Sequence, residues 1–102
     1  MHAINEMIIL YNHLEKDDFY KNAIYQVLKN LDSIPQLSSY ELAEKCFVSP
    51  ATILRLSRKL GYESYTDFKL SVSMDLKEVR DNILFSFDEL EWSSQYLGRA
   101  ID

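Results

Sequence analysis

A short basic segment carries the side chains in this sequence that are best suited to binding an anion. Between Ser49 and Tyr62 there are three bases, Arg55, Arg58 and Lys59, and no acid. An arginine guanidinium can donate to two acceptors of a guanine or a phosphate at once, whereas a lysine ammonium binds phosphate as a point charge. The residue types therefore favour a nucleic-acid ligand.

No catalytic or metal-binding pattern accompanies these bases. The sequence has no glycine-rich phosphate loop, no histidine near a suitable nucleophile and no carboxylate pair in an apolar setting. His2, His13 and the single cysteine, Cys46, do not have the spacing of a zinc site. We therefore expect no enzymatic activity, no catalytic residue, no metal and no other cofactor, and we expect Cys46 in the core.

The charge of the whole chain argues against a nucleic-acid partner, but its distribution favours one. The formal net charge is -5, and affinity for DNA depends on neutralising phosphates. Segments 1–35, 36–72 and 73–102 hold three, five and three bases against five, four and seven acids. Positive charge is thus concentrated in the middle of the chain.

The bulk composition is typical of one small domain in a reducing compartment. A chain of 102 residues with 47% apolar residues can bury a core without disulfides or metals. One cysteine cannot form an internal disulfide, no secretory leader opens the chain, and the apolar run 7–11 is too short to span a membrane. These features predict a cytoplasmic protein with no membrane partner.

Helical apolar spacing runs through almost the whole chain, so the elements that position the bases are predicted to be helices. We predict an all-α bundle of five or six helices with a homeodomain-like helix-turn-helix. The expected helices cover about 2–14, 17–31, 38–46, 50–60 and 64–84. Residues 1–84 are expected to form the domain, and 85–102 a further short helix or a loose tail.

Residues 38–60 have the pattern of a helix-turn-helix. Ser38 with Glu41 predicts a capping box, and Ser49 followed by Pro50 predicts the start of a second helix. Ala43 is small where the two helices must cross. The surrounding apolar positions are Leu42, Cys46, Val48, Ile53 and Leu56.

The turn of this motif departs from the usual pattern at one position. Phe47 stands where glycine is common, because a positive φ is cheap only for glycine. Either the turn is longer than usual or Phe47 bears some strain.

In such a motif the start of the second helix contacts base edges in the major groove. If Ile53, Leu56 and Leu60 face inward, the expected base contacts are Ala51, Thr52 and Arg55. The expected contacts to the DNA backbone are Ser38, Ser39, Tyr40, Ser49, Arg58, Lys59, Tyr65 and Lys69.

A nearly heptad-spaced apolar seam runs from Tyr65 to Ile83. It is longer than a small core needs, so it is either core or a dimer surface. We favour a homodimer, whose seam would be formed by Val72, Leu76, Val79 and Ile83.

The stretch LSSYELAEKCFVSPATILRLSRKLGYESYTDFKLSV, residues 37–72, resembles the N-terminal domain of the RpiR family of bacterial transcription regulators, and the resemblance extends over about 1–80. The positions that carry it are Val48, Ser49, Ala51, Thr52, Ile53, Arg55, Arg58, Lys59, Leu60, Gly61, Tyr62, Tyr65, Phe68 and Lys69. The resemblance implies a dimeric domain that binds double-stranded operator DNA, in a regulator of sugar metabolism.

In the family a sugar-isomerase-like domain follows and senses a phosphorylated sugar. We expect no such domain here, and such an effector only if a missing C-terminal domain exists.

Other readings of these features remain. Three bases on a helix can be an ordinary solvated face. The main alternative function is a protein-interaction module on a helix-turn-helix scaffold, which the charge of -5 favours. A small enzyme or a ligand-binding bundle is the second alternative.

Overall fold

A computed structural model of the protein describes residues 2–83, with side chains to residue 80. It contains α1 (Ala3–His13), α2 (Phe19–Lys29), a 3-10 helix (Leu31–Gln36), α3 (Ser39–Lys45), α4 (Pro50–Lys59) and α5 (Tyr65–Ile83). No strand is present within 2–83, and the all-α prediction is confirmed. The expected helix or tail over 85–102 lies outside the described residues. None of the described helices has the length and apolar character that crossing a membrane would require.

Side-chain caps set the start of the helix-turn-helix. The hydroxyl of Ser38 accepts from the Glu41 N–H at 3.1 Å, and the Glu41 carboxylate accepts from the Ser38 N–H at 2.9 Å. The predicted capping box is therefore confirmed. Ser49 caps α4 in the predicted way, because its hydroxyl accepts from the Thr52 N–H.

The second helix ends earlier than the sequence pattern predicts. It stops at Lys29, and the 3-10 helix that follows contains Pro35. A residue before proline avoids the α region, and 3-10 turns are common short connectors between helices. The tighter connector still buries Leu31 and Ile34, so the apolar pattern continues through it.

The longest described helix, α5, contributes one face to the hydrophobic core. It packs against α1, α4 and the 3-10 helix. Its inner face buries Phe68, Val72 and Leu76, of which Val72 is fully inaccessible to solvent. The core also includes Cys46, as predicted.

The predicted dimer seam on α5 is therefore wrong for Val72 and Leu76. Both side chains are already covered by helices of their own chain, so they have no surface left for a second copy. Val79 is partly buried and packs against the same core. The side chain of Ile83 lies outside the described part of the chain.

The start of α1 is capped from the other end of the fold. His2 contributes no side-chain cap to this helix. Instead, Asp75 Oδ2 on α5 accepts a hydrogen bond from the Ile4 N–H at 3.0 Å. Asp75 Oδ1 lies 3.2 Å from His2 Nδ1. The first and last described helices are thereby fixed to each other.

Candidate nucleic-acid interface

The two helices α3 and α4 form the predicted helix-turn-helix. They lie against each other, and they bury Leu42, Ala43, Ile53 and Leu56 between themselves and the core. The turn is closed by a hydrogen bond from the Val48 N–H to the Ala43 carbonyl at 3.0 Å. Ala43 therefore lies at the turn contact where the sequence pattern calls for a small residue.

Phe47 adopts the positive φ that its position in the turn predicted. Its φ is 59°, which places a residue with a Cβ in the left-handed region. That conformation costs about 1–2 kcal/mol for most residues because the Cβ approaches the following carbonyl. The ring is 85% exposed, so burial of the side chain does not offset this cost. The strained turn sets the direction in which α4 begins.

The outward face of α4 carries Ala51, Arg55 and Arg58. These three residues are exposed, and their spacing of four and three residues places them on one helical face. Within residues 2–80, neither guanidinium forms an ion pair with an acidic side chain. The face is therefore a small, positively charged surface whose donors are available to an anionic ligand.

Thr52 does not share this face, contrary to the sequence prediction. Its side chain is only 4% exposed, and its Oγ1 lies 3.0 Å from Ser49 Oγ. Thr52 follows Ala51 by about 100° around the helix, which turns it toward the buried side. The expectation that Thr52 points outward is wrong, and its hydroxyl instead supports the cap at Ser49.

Lys59 lies on the flank of α4 and makes a contact with α2. Its side chain is exposed, and its Nζ lies 4.7 Å from the centroid of the Tyr20 ring. An ammonium over an aromatic face is attracted to the ring by its quadrupole. This contact orients Lys59 away from the centre of the Arg55 face and toward its edge.

A second group of expected contact residues lies at the start of α3. Tyr40 is 72% exposed, Ser38 is exposed and Ser39 is half-buried. Lys69 on α5 reaches this point, with its Nζ 3.5 Å from the Leu37 carbonyl oxygen. The structure thus brings a lysine from a distant helix to Leu37, the residue just before the Ser38 cap of α3.

The same place contains one carboxylate, that of Glu41. Hydrogen bonds from the backbone and hydroxyl of Ser38 lower the pKa of Glu41, and the charge of Lys69 lowers it further. The Glu41 carboxylate is therefore ionised and engaged in capping, and Lys69 partly compensates its charge.

Tyr65 is not available to DNA, and its expected backbone contact is wrong. Its ring is buried against Phe68, and its hydroxyl donates to the Leu37 carbonyl at 2.8 Å. Burial, with smaller contributions from the charges of Cys46 and Glu41, raises the pKa of Tyr65 to about 12. Its aromatic body completes the core, while its hydroxyl satisfies a backbone carbonyl just before α3.

Sequence inspection missed one polar cluster, formed by His2, Asp75 and Glu78. Potential ligand atoms of these residues lie within 4.8 Å of one another. Both oxygens of Asp75 already have partners, since one accepts from Ile4 and the other lies beside His2. The cap on α1 explains the grouping, so we assign it no metal. His2 is more than 70 positions away from Asp75 and Glu78, and no spacing rule could have connected it to them.

The sequence pattern of the helix-turn-helix domain of the rpiR family matches residues 3–79. An uncharacterized HTH-type transcriptional regulator of Haemophilus influenzae is 31% identical over 80 residues, 78% of this chain and 27% of the relative. An uncharacterized HTH-type transcriptional regulator in the aarA 3' region of Providencia stuartii is 33% identical over 75 residues, 72% of this chain and 27% of the relative. The HTH-type transcriptional regulator GlvR of Bacillus subtilis is 29% identical over 90 residues, 85% of this chain and 35% of the relative.

The chain thus spans about a third or less of the length of these relatives. No solved structure matches it. The family pattern covers α1 to α4, including the capped helix pair α3 and α4, and continues along α5 to residue 79. This chain belongs to the rpiR family of helix-turn-helix domains, which is the family that residues 37–72 indicated.

Proposed function

We propose that this domain binds double-stranded operator DNA in a sequence-specific manner, as the DNA-binding part of a bacterial transcription regulator. The observation that carries the proposal is the outward face of α4. It presents Ala51, Arg55 and Arg58 together, with no acid between residues 49 and 62. A helix with this face can enter the major groove, where its first turns contact base edges.

Each exposed side chain has a role that follows from its position on α4. The Arg55 guanidinium donates two hydrogen bonds to one guanine, and the small side chain of Ala51 allows the helix to approach the bases closely. Arg58, one turn further on, binds a phosphate, and Lys59 binds one at the edge of the face. Because the Thr52 hydroxyl pairs with Ser49, we assign Thr52 to positioning the helix start.

The start of α3 supplies a second set of backbone contacts. Lys69 and the exposed Tyr40 are the main donors there, with Ser38 and Ser39 beside them. Contacts of this kind fix the register of a protein on the duplex and carry no sequence information. The net charge of -5 means that binding depends on these few cations, so affinity should fall steeply with salt.

Two copies would bind a pseudo-palindromic operator, with their α4 helices in successive major grooves. Regulation of sugar metabolism follows from the family resemblance. A phosphorylated-sugar effector is proposed only for a protein that also contains a sugar-isomerase-like domain.

The test begins with selection of bound sequences from a random DNA pool. Wild-type protein and Arg55→Ala are then titrated with the selected sequence and with an unrelated duplex at several salt concentrations. Loss of a bidentate base contact costs about 1–3 kcal/mol, so we expect a loss of about 5- to 150-fold on the selected sequence only. Lys16→Ala, which removes one charge from an exposed site before α2, is the matched control.

The outcomes separate the proposal from its main alternative. An equal loss on both duplexes would reassign Arg55 to a phosphate contact. If the folded protein binds no DNA even at low salt, the domain is instead a protein-interaction module that uses its acidic surface.

A further inference from the structure

Among the large apolar side chains of residues 2–80, that of Phe47 is the most exposed, with 85% of its surface accessible to solvent. Phe47 is also the one described residue other than glycine that has a positive φ. An exposed ring forgoes the gain of burial, and a Cβ in the left-handed region approaches the following carbonyl. Unfavourable backbone conformations that persist are concentrated at functional sites. The two observations together point to a role for this ring outside the core.

The backbone of the turn holds the ring in its exposed position. The Phe47 N–H donates to the Glu44 carbonyl at 3.3 Å, and the Val48 N–H donates to the Ala43 carbonyl at 3.0 Å. On one side of Phe47, Cys46 is buried, and on the other side Val48 packs against the core. The exposure of the ring is therefore a property of the hydrogen-bonded turn.

The surface around the ring suits an apolar contact better than a contact to phosphate. Residues 46–54 contain no charged side chain, although the bases Lys45 and Arg55 stand at either end of this segment. On one side the ring borders a hollow of about 210 Å³, which Phe19 on α2 also borders and which no charged residue lines. A phenyl ring gains free energy by removing apolar surface from water, so the matching partner is itself apolar.

Phe47 lies close to the end of α4 that is proposed to contact base edges. Two peptide units separate it from Ser49, the N-cap of α4, so their Cα atoms are at most about 7.6 Å apart. Consecutive bases of one strand are about 3.4 Å apart along the duplex, so this distance corresponds to about two base pairs. In the major groove every base pair presents hydrogen-bonding groups, but only thymine presents an apolar group, its 5-methyl. That methyl group is the partner in the groove that matches the ring.

We propose that Phe47 is a specificity-determining residue, whose ring contacts the 5-methyl group of a thymine about two base pairs from those that the start of α4 contacts. This inference rests on the proposed function and deepens it, because it assigns a base to a residue outside α4. The ordered turn holds the Phe47 backbone in place before DNA is bound, so little backbone freedom is lost on binding. Removal of the ring should abolish the preference for thymine at one position and leave the preference set by Arg55 unchanged.

Uracil substitution tests the contact at a single chemical group, because deoxyuridine lacks only the methyl of thymidine. The operator is selected from a random DNA pool, and each thymine of a half-site is replaced in turn by uracil. With wild-type protein, one replacement near the start of α4 should weaken binding about fourfold, since one buried carbon is worth roughly 0.8 kcal/mol. With Phe47→Ala the same replacement should have almost no effect. A thymine that Ala51 contacts would show the same loss with both proteins, so the double-mutant cycle separates the two contacts.

Phe19→Ala is the matched control, because Phe19 is the other exposed phenylalanine of residues 2–80 and borders the same hollow. This variant should bind the operator and every uracil duplex as the wild-type protein does. Phe47→Leu keeps an apolar side chain and should retain part of the uracil effect. Circular dichroism and thermal melting establish that each variant is folded before its affinity is measured.

Three outcomes would overturn the inference and leave the proposed function intact, because the operator would still be bound with a sequence preference. In the first, wild-type protein and Phe47→Ala respond equally to every uracil duplex. In the second, Phe47→Ala loses affinity equally for the operator and for an unrelated duplex, which would make the ring a nonspecific contact. In the third, Phe19→Ala loses as much operator affinity as Phe47→Ala, which would assign the effect to the hollow that both rings border. If the wild-type protein selects no sequence at all, the proposed function fails, and this inference fails with it.

Discussion

The carboxylate of Asp75 accepts a hydrogen bond from the backbone N–H of Ile4, across 71 residues of sequence. The first turn of an α-helix has N–H groups without intrahelical partners, and α1 has no side-chain cap of its own. The acceptor therefore comes from α5. Asp75 is one of few buried polar residues in the domain, and this contact accounts for its burial.

Asp75→Ala should destabilise the domain through α1. The Ile4 N–H would remain buried without an acceptor, which costs about 1–3 kcal/mol. Urea unfolding followed by circular dichroism measures the change. Glu78→Ala removes an exposed carboxylate one turn further along α5 and should change the free energy of unfolding by less than about 0.5 kcal/mol. Equal effects of the two variants would contradict the capping role.

Phe47→Gly should stabilise the domain by about 1 kcal/mol, because glycine adopts a positive φ without the Cβ clash. The gain is reduced by the greater entropy of glycine in the unfolded chain. Phe47→Ala keeps the Cβ and should show no comparable gain, although it removes the same exposed ring. Thermal melting of the wild-type protein and the two variants distinguishes these cases. If Phe47→Gly is less stable than Phe47→Ala, the backbone at residue 47 is not strained.

Tyr65→Phe should lower stability while leaving DNA affinity unchanged. The variant removes the hydrogen bond to the Leu37 carbonyl, worth about 0.5–1.5 kcal/mol. Tyr40→Phe removes a hydroxyl from an exposed ring and should have the opposite profile, with unchanged stability and weaker binding to DNA. If folded Tyr65→Phe instead lost affinity for DNA, Tyr65 would have to contact the DNA backbone in spite of its burial.

The stability of the domain should fall in alkaline solution. Burial raises the pKa of Cys46 from 9.0 to about 11, so the folded state holds the thiol proton more tightly than the unfolded state. Its contribution is fully present below pH 9 and is lost as the pH rises through about 11. Tyr65, with its pKa raised to about 12, acts in the same direction. Cys46→Ala should show a shallower decline between pH 9 and 11, measured by urea unfolding at each pH.

Thr52→Val tests whether this residue positions α4 or reads a base. The substitution keeps the shape and removes the hydroxyl that pairs with Ser49. We expect lower stability, by about 0.5–1.5 kcal/mol, and an unchanged base preference in a selection experiment. A changed preference at one base pair, without a stability loss, would instead make Thr52 a base contact.

Local chemistry made the helix boundaries around the candidate site predictable. The capping hydroxyls of Ser38 and Ser49 act within three residues, and Gly61 has the φ of 98° that a residue after a helix often needs. The outward positions of Arg55 and Arg58 followed from the 3.6-residue period alone. These features depend on neighbours in sequence, so sequence inspection was sufficient.

Features that depend on which element covers a face could not be predicted in the same way. Periodicity showed that Val72 and Leu76 share a face, but not that α1 and the 3-10 helix cover it. The prediction that Tyr65 contacts the DNA backbone failed for a similar reason. Its hydroxyl donates to the Leu37 carbonyl, which is 28 residues away in sequence, and no spacing rule predicts such a contact.

The hydrogen bond from the Ile4 N–H to the Asp75 carboxylate has a consequence for how the chain folds during synthesis. The residues of α1 leave the ribosome before those of α5, yet part of their packing surface and the acceptor for the Ile4 N–H are on that last described helix. Until α5 has emerged, α1 can pack only against α2, so the burial that Ile4 and Met7 have in the finished domain is incomplete. Folding of the nascent chain is therefore expected to be late and cooperative, and a translation product that stops before residue 75 should be prone to capture by chaperones.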